Sequence, residues 1–384
     1  MEKSRVRWSD LPPQLWPLIG KRLDNYIDIV RFRSVCRSWR ASLPQLNAIS
    51  LLSPLLVSHP FDHRIEDALV IRRIIYGTSP LRHHQTSTYP SSSSSSSRAS
   101  AGWLAKVETT NLGKLRFLTP LSTDWVKSRN QVFRKEVNLL DFRIHEVAKS
   151  YILRSTIGGI LFINKVVVFP DSAWIDVKKT SIIVAVNIEG KLGYTKVGDY
   201  KWTLIGSPNF CFADLIVYEG EIYTVDRLGT VFLIDSSMKL VQISPELGVI
   251  SNEKHLIECG GEIYVVDRFL EQKKDPELLN SWFDEPMPRV VDFKVHRLDQ
   301  EIMGKSRWVE VKNLGNRAFV VGHNSFSVSA ADFEGFKENC IYFSDELQSD
   351  LGYGFSTHVL DLEERTIVKA SPQIFRAPPI WLHS

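Results

Sequence analysis

The stretch Gly220-Glu221-Ile222-Tyr223-Thr224-Val225-Asp226-Arg227 returns, 41 residues on, as Gly261-Glu262-Ile263-Tyr264-Val265-Val266-Asp267-Arg268. Both copies are short β-branched and aromatic runs behind a glycine, the pattern of a strand. Ile341-Tyr342-Phe343-Ser344-Asp345 is a weaker third copy, 78 residues beyond the second and so close to two further periods. Each copy is followed by a strand that ends in an acid: FLID at 232–235, HRLD at 296–299 and HVLDL at 358–362. A period near 40 residues built of short strands is the spacing of a four-stranded propeller blade.

Working outward, β-branched and aromatic runs punctuated by Gly, Asp, Asn and Pro fill the chain from Gly102 to Ser384, and helical periodicity is nearly absent there. At the observed period this length holds six or seven blades, whereas a β-sandwich would need fewer strands and no repeat. Trp202 and Trp308, each behind a basic residue, open a later strand in two of the units and read as packing between blades. Asp226-Arg227 and Asp267-Arg268 read as strand-end pairs that fix hairpins, because repetition at one blade position marks architecture. One polar, proline-containing insertion, residues 269–289, interrupts a repeat. Insertions of this kind often fall on a binding face, which makes Trp282 and Phe283 candidate substrate contacts.

The N-terminal residues are of another kind. Leu11, Leu15, Leu18, Ile19 and Leu23 recur at helical spacing, and after the polar break Asp24-Asn25 a second series follows: Ile27, Val30, Val35, Trp39 and Leu43. Ser9 or Asp10 before a proline pair suits a helix N-cap, and Pro17 predicts that the first helix starts late or kinks there. Some forty residues cannot bury two apolar stripes among themselves, so a partner must cover the face left over. Residues 1–45 hold nine Lys and Arg against four acids, in a chain whose net charge is only +3. That end suits an acidic partner, and charge alone does not choose between nucleic acid and protein. Between the two regions, residues 46–101 read as a linker with two apolar segments, Leu51–Val57 and Ile65–Ile75, expected to hold strands or a helix packed on the neighbouring domain, and it ends in a disordered tract around the seven serines Ser91–Ser97.

The residues Leu11-Pro12, Leu15, Ile19, Leu23, Ile27, Val30 and Val35-Cys36-Arg37-Ser38-Trp39 together resemble an F-box. With the segment GWLAKVETTNLGKLRFLTPLS at 102–122 and the GEIYxVDR units, nearly the whole chain is similar to plant F-box proteins with a C-terminal, kelch-related propeller. The kelch likeness is partial, since the paired glycine occurs only at Gly260-Gly261. The resemblance implies a mainly β protein with a small N-terminal α domain, an F-box helical hairpin over 1–45 followed by a six- or seven-bladed β-propeller over 102–384. It implies a non-catalytic substrate receptor of a ubiquitin ligase in nucleus and cytoplasm. Leu11, Pro12, Leu15, Ile19, Leu23, Ile27, Val30, Val35, Cys36 and Trp39 would then hold a Skp-type adaptor, and through it cullin and RING subunits, while the propeller holds an unidentified protein target.

Other classes find little support. There is no GxSxG, HExxH, GxxxxGK[ST] or strand-borne GxGxxG. The four cysteines, Cys36, Cys211, Cys259 and Cys340, are far apart, so no metal, disulfide framework or cofactor is expected. No apolar run is long enough to span a membrane, and the N-terminus lacks the apolar core of a signal peptide, which predicts a soluble intracellular protein. A nucleic-acid partner is not expected, because a recognition helix exposes polar side chains and not a Leu/Val/Trp stripe. The alternative is a small-molecule-binding or hydrolytic propeller that uses its helical end only for assembly.

Overall fold

Two turns of the same type explain why the repeat opens on glycine. The computed structural model describes residues 11–23, 25–44, 54–61, 67–80, 102–109, 115–118, 120–121, 142–157, 161–172, 174–271, 288–300, 306–333, 335–349 and 352–370. Glu219-Gly220 and Gly260-Gly261 are two-residue hairpin turns in which all four residues have positive φ, between 48° and 83°. A turn with both residues in the left-handed region matches the twist of the strands it joins, and its second position strongly favours glycine.

The strands fall into five groups. The first contains β1 (Leu55–Ser58), β2 (Asp67–Pro80), β3 (Trp103–Thr109), β4 (Leu115–Leu118) and β5 (Phe142–Ser155). The second holds β6 (Ile163–Phe169), β7 (Ile182–Asn187), β8 (Leu192–Lys196) and β9 (Thr203–Ile205). These two form one nine-stranded sheet, but a single residue pair, Tyr151 with Val166, joins β5 to β6, and the sheet divides there. The third and fourth groups are four-stranded meanders: β10 (Phe212–Tyr218), β11 (Glu221–Asp226), β12 (Val231–Ile234) and β13 (Leu240–Gln242), then β14 (Glu253–Cys259), β15 (Glu262–Leu270), β16 (Val290–Gln300) and β17 (Ser306–Glu310). The fifth comprises β18 (Arg317–Val321), β19 (Phe326–Ser329), β20 (Cys340–Ser349), β21 (Gly352–Asp361) and β22 (Ile367–Lys369), in the order β19-β18-β20-β21-β22 with β18 and β20 parallel.

A sheet with two apolar faces must be covered on both, and five inter-sheet cores do this in rotation. Leu55, Val70 and Leu153 of the first group pack on Val166, Val168 and Ile183 of the second. Val184 and Leu192 of the second meet Phe212, Leu215 and Phe232 of the third. Val225 and Val231 meet Leu256 and Val265 of the fourth, whose Ile257, Val266 and Phe293 meet Phe319, Ile341 and Phe343 of the fifth. Val320, Phe326 and Tyr342 of the fifth return to Ile75 and Leu104 of the first. The ring is therefore closed, with β5, β6, β10, β14 and β19 as its innermost strands. Backbone joins the two ends as well: Gly102 N–H donates to the Asp332 carbonyl at 3.0 Å beside a parallel bridge to Phe333.

Three expectations change. The described residues form five groups, not six or seven blades, because the outer groups use more chain than the period: β2 and β5 run 14 residues each, and β20 and β21 run 10. The region expected as linker supplies β1 and β2, so the β-body begins before residue 102; the alternation around buried Ala68, Val70 and Ile75 belongs to strands paired on both sides. The third repeat copy lies on β20, third from the axis, whereas β11 and β15 are second. The serine tract, Ser9 and Asp10 lie outside the described residues.

The helical unit consists of α1 (Leu15–Gly20), α2 (Tyr26–Val35) and α3 (Arg37–Ala41); α4 (Val177–Thr180) belongs to the ring. Helix α1 starts late, which puts Pro17 in the first turn, where its missing N–H costs no helical hydrogen bond. Asn25 caps α2 by accepting from Asp28 N–H at 2.8 Å, and Cys36 Sγ caps α3 by accepting from Trp39 N–H at 3.5 Å.

Ring closure gives the first prediction. A Cβ on Gly102 would stand 2.4 Å from the Asp332 carbonyl oxygen, a backbone atom that cannot swing aside. Gly102→Ala should therefore lower the unfolding free energy by about 1–3 kcal/mol in a denaturant titration, and an unchanged midpoint would show that this seam does not hold the ring shut.

Candidate docking surface and ring cavity

Helix α1 is apolar all the way round, and the unit covers only one side of it. Ile29, Phe32, Trp39 and Leu43 form the core of the unit, with Leu11, Trp16, Ile19 and Leu23 packed against it. Trp39 is only 7% exposed and stacks on Phe32 at 4.5 Å between ring centroids. One more aromatic comes from the ring: Trp174 packs on this core, and its indole N–H donates to the Leu23 carbonyl at 2.8 Å. Arg33 secures the far end by donating to the carbonyls of Arg40, Leu43 and Pro44.

Around this core, Leu15 is 39% exposed, Leu18 60%, Tyr26 37% and Val35 55%. Pro12, Pro13 and Cys36 are exposed with them, and so are the cations Lys21, Arg22, Arg37 and Arg40. Of the residues the sequence nominates, the structure exposes Pro12, Leu15, Val35 and Cys36, half-buries Leu11, Ile19, Leu23, Ile27 and Val30, and turns Trp39 inward. Leu18, Pro13 and Tyr26 were not nominated. The spacing Leu15 to Leu18, set against Trp16, Ile19 and Leu23, already marks two apolar faces on one helix. Trp282 and Phe283 lie outside the described residues.

The ring has a polar axis. A cavity of about 410 Å³ opens where β6, β10 and β14 begin, with Lys165, Asp214, Glu253, Lys254 and Arg268 on its walls. Asp214 accepts from Leu215 N–H and Leu256 N–H, both at 2.8 Å, and pairs with Lys165 at 3.1 Å, so one carboxylate ties three groups of strands. Burial pushes the Asp267 carboxyl up, but hydrogen bonds from His296, Lys254 and Ser251 outweigh it and hold the group below the usual carboxylate range. The repeated Asp-Arg pairs differ in use: Asp226 accepts from Leu228 and Thr230 N–H inside its own hairpin, while Arg268 reaches the Ser344 carbonyl and Asp345 of the next group. Trp202 and Trp308 bridge groups, donating to the carbonyls of Ser58 and Pro245 at 2.9 Å. Among the described residues no cluster of three or more His, Cys, Asp or Glu could hold a metal ion, and no helix is long and apolar enough to cross a membrane.

Lys106 is buried in the first group, where burial and then the neighbouring Arg73 pull its ammonium down from 10.5 to about 7. Above that value the unfolded chain keeps a proton that the folded chain has released, so stability should rise with pH from about 7 towards 10. Lys106→Met should flatten that slope in melting scans across the window, since an apolar replacement of a buried ion is often neutral or stabilising. A slope unaltered by the substitution would refute the assignment.

Residues 75–365 match the KIB1-4 beta-propeller family. The chain is 30% identical over 352 residues to the putative F-box protein At1g65770 of Arabidopsis thaliana, an alignment that covers 88% of this chain and 89% of that one. It is 29% identical over 409 residues to the F-box protein SKIP23 of the same plant, covering 99% and 96%, and 27% identical over 410 residues to the F-box protein At2g17690, covering 90% and 92%.

Proposed function

The chain belongs to the F-box proteins that carry a KIB1-4 β-propeller, and from that premise we propose that it is the substrate-recognition subunit of an SCF-type (Skp-cullin-F-box) E3 ubiquitin ligase. The helical unit docks a Skp-type adaptor, which brings the cullin and RING subunits, and the β-ring holds a protein target in nucleus or cytoplasm. The chain performs no chemistry itself. The observation that carries this reading is the one-sided packing of α1–α3: Leu15, Leu18, Tyr26 and Val35 stay exposed on a unit whose other side is filled.

The energetics suit a small, strong interface. Burying each of these side chains fully is worth about 1.5–3 kcal/mol, so a few anchors can dominate binding. Lys21, Arg22, Arg37 and Arg40 surround the apolar strip and steer an acidic partner onto it. Pro17 leaves adaptor affinity intact, because it sits in the first turn and Lys21 N–H still donates to its carbonyl at 3.0 Å. Leu11, Ile19, Leu23, Ile27, Val30 and Trp39 act from beneath by setting the positions of the exposed anchors. Trp282 and Phe283 are assigned to target contact as residues of the insertion in the β15–β16 repeat.

Leu15→Asp combined with Leu18→Asp should weaken binding to a purified Skp adaptor at least about a hundredfold by calorimetry, from the loss of two buried anchors at about 1.5 kcal/mol or more each, with unchanged melting of the ring. Adaptor binding at parental strength would overturn the reading. The association rate of the parental chain should fall as salt is raised, and a rate indifferent to ionic strength would remove the role given to the four cations.

A further inference from the structure

Strands β5 and β6 meet through one residue pair of their ladder. Beyond the single pair Tyr151 with Val166, a cavity of about 500 Å³ lies between the two strands. Its walls include Arg73 from β2, Arg154 from β5, Lys165 from β6, and His323 and Asn324 from the turn between β18 and β19. It shares Asn164, Lys165 and His323 with the axial cavity, so the two adjoin.

Among the described residues, the basic groups beside this cavity gather on one carboxylate, Glu108. Arg73 and Arg154 converge on one oxygen of the buried Glu108, at 2.7 and 3.2 Å, and Arg116 stands 3.8 Å from the other. Buried Lys106, pulled down to about 7, adds positive charge to the same cluster only below that pH. Lys165 is matched by Asp214 at 3.1 Å. Among the described residues, the terminal nitrogen Nη1 of Arg73 and the amide nitrogen Nδ2 of Asn324 are buried without a hydrogen-bond partner, as is Oε1 of Glu108 on the acceptor side. A buried donor without an acceptor is costly, and more so on a guanidinium. Burial and then Lys106, Arg73 and Lys165 push the His323 imidazole down to about 4.

We propose that the β5–β6 cavity is a binding site for a small phosphate-bearing polyanion, held by the free nitrogen of Arg73, by Arg154 and by the Asn324 amide. A forked guanidinium matches the paired oxygens of a phosphate group, and its bonds to an anion are among the stronger hydrogen bonds available. The volume falls in the range of small-ligand pockets, and the walls come from two ends of the chain that meet only where the ring closes. A ligand there would join the first, second and fifth groups of strands. This site does not depend on the adaptor-docking reading.

Pyrophosphate, inorganic phosphate and citrate are titrated into the full chain by calorimetry at constant ionic strength, with sulfate as the control for general salt effects. Pyrophosphate should bind saturably with one site per chain and raise the melting temperature. Arg154→Gln, a change on a half-exposed side chain, should weaken it about tenfold or more, as should Asn324→Leu, while both variants keep adaptor binding. Pyrophosphate binding unchanged in both variants, or a thermal shift that sulfate reproduces, would overturn the site. Saturable binding of citrate without pyrophosphate would overturn the assignment to phosphate.

Discussion

A short helix that is apolar on every side can turn only one face into its own unit, and the N-terminal forty residues are organised around that limit. Trp16 and Ile19 of α1 go inward to meet Phe32, Trp39 and Leu43. Leu15 and Leu18 then have nowhere to go within the chain. The ring does not cover them either; its contribution is Trp174, which clasps the unit from the filled side through the Leu23 carbonyl. The unit is thus attached by the face that needs no partner and presents the face that does, which fits a handle held at a set orientation to the β-body.

The ring obeys the same rule on a larger scale. Each group of strands has two apolar faces and none can be left bare, so groups stack until the last meets the first. The inner strands bring polar side chains together at the axis, and there the structure relies on shared carboxylates: Asp214 links the second, third and fourth groups, and Asp267 collects Lys254, Ser251 and His296. Beside the single residue pair of β5 and β6, Arg73 and Arg154 share one oxygen of Glu108, and Nη1 of Arg73 is left without an acceptor among the described residues.

How much of this was legible in the sequence depended on the range of the interactions. The hairpin turns and the strands they start were legible, because Gly220 and Gly261 sit where left-handed backbone is required within two residues of the strand. The helical unit was legible because it fixes residue types at many spaced positions. Spacing could not say which of two apolar stripes on α1 faces inward; Leu43 and Trp174 decide that, and Trp174 is 151 residues from its partner Leu23. The fifth group hid its order, since the pattern of β20 is the same whether its neighbour runs parallel or antiparallel. Strands β1 and β2 were legible as apolar segments, strand or helix, packed on the neighbouring domain, but not as part of the ring, because they precede the periodic part and because β2 carries Arg72-Arg73 in mid-strand, which reads as polar until Asp171 and Glu108 are seen to pair with them. The cavity between β5 and β6 had no local signal, as its walls are drawn from residues 73 to 324.

The central claim is that the exposed side of α1–α3 is the surface another polypeptide covers. Amide hydrogen exchange on the full chain, alone and saturated with a Skp adaptor, tests it most directly. The account predicts new protection confined to residues 12–37, with the strands of the ring exchanging as before. Protection centred on the ring, with the helical unit unchanged, would contradict it.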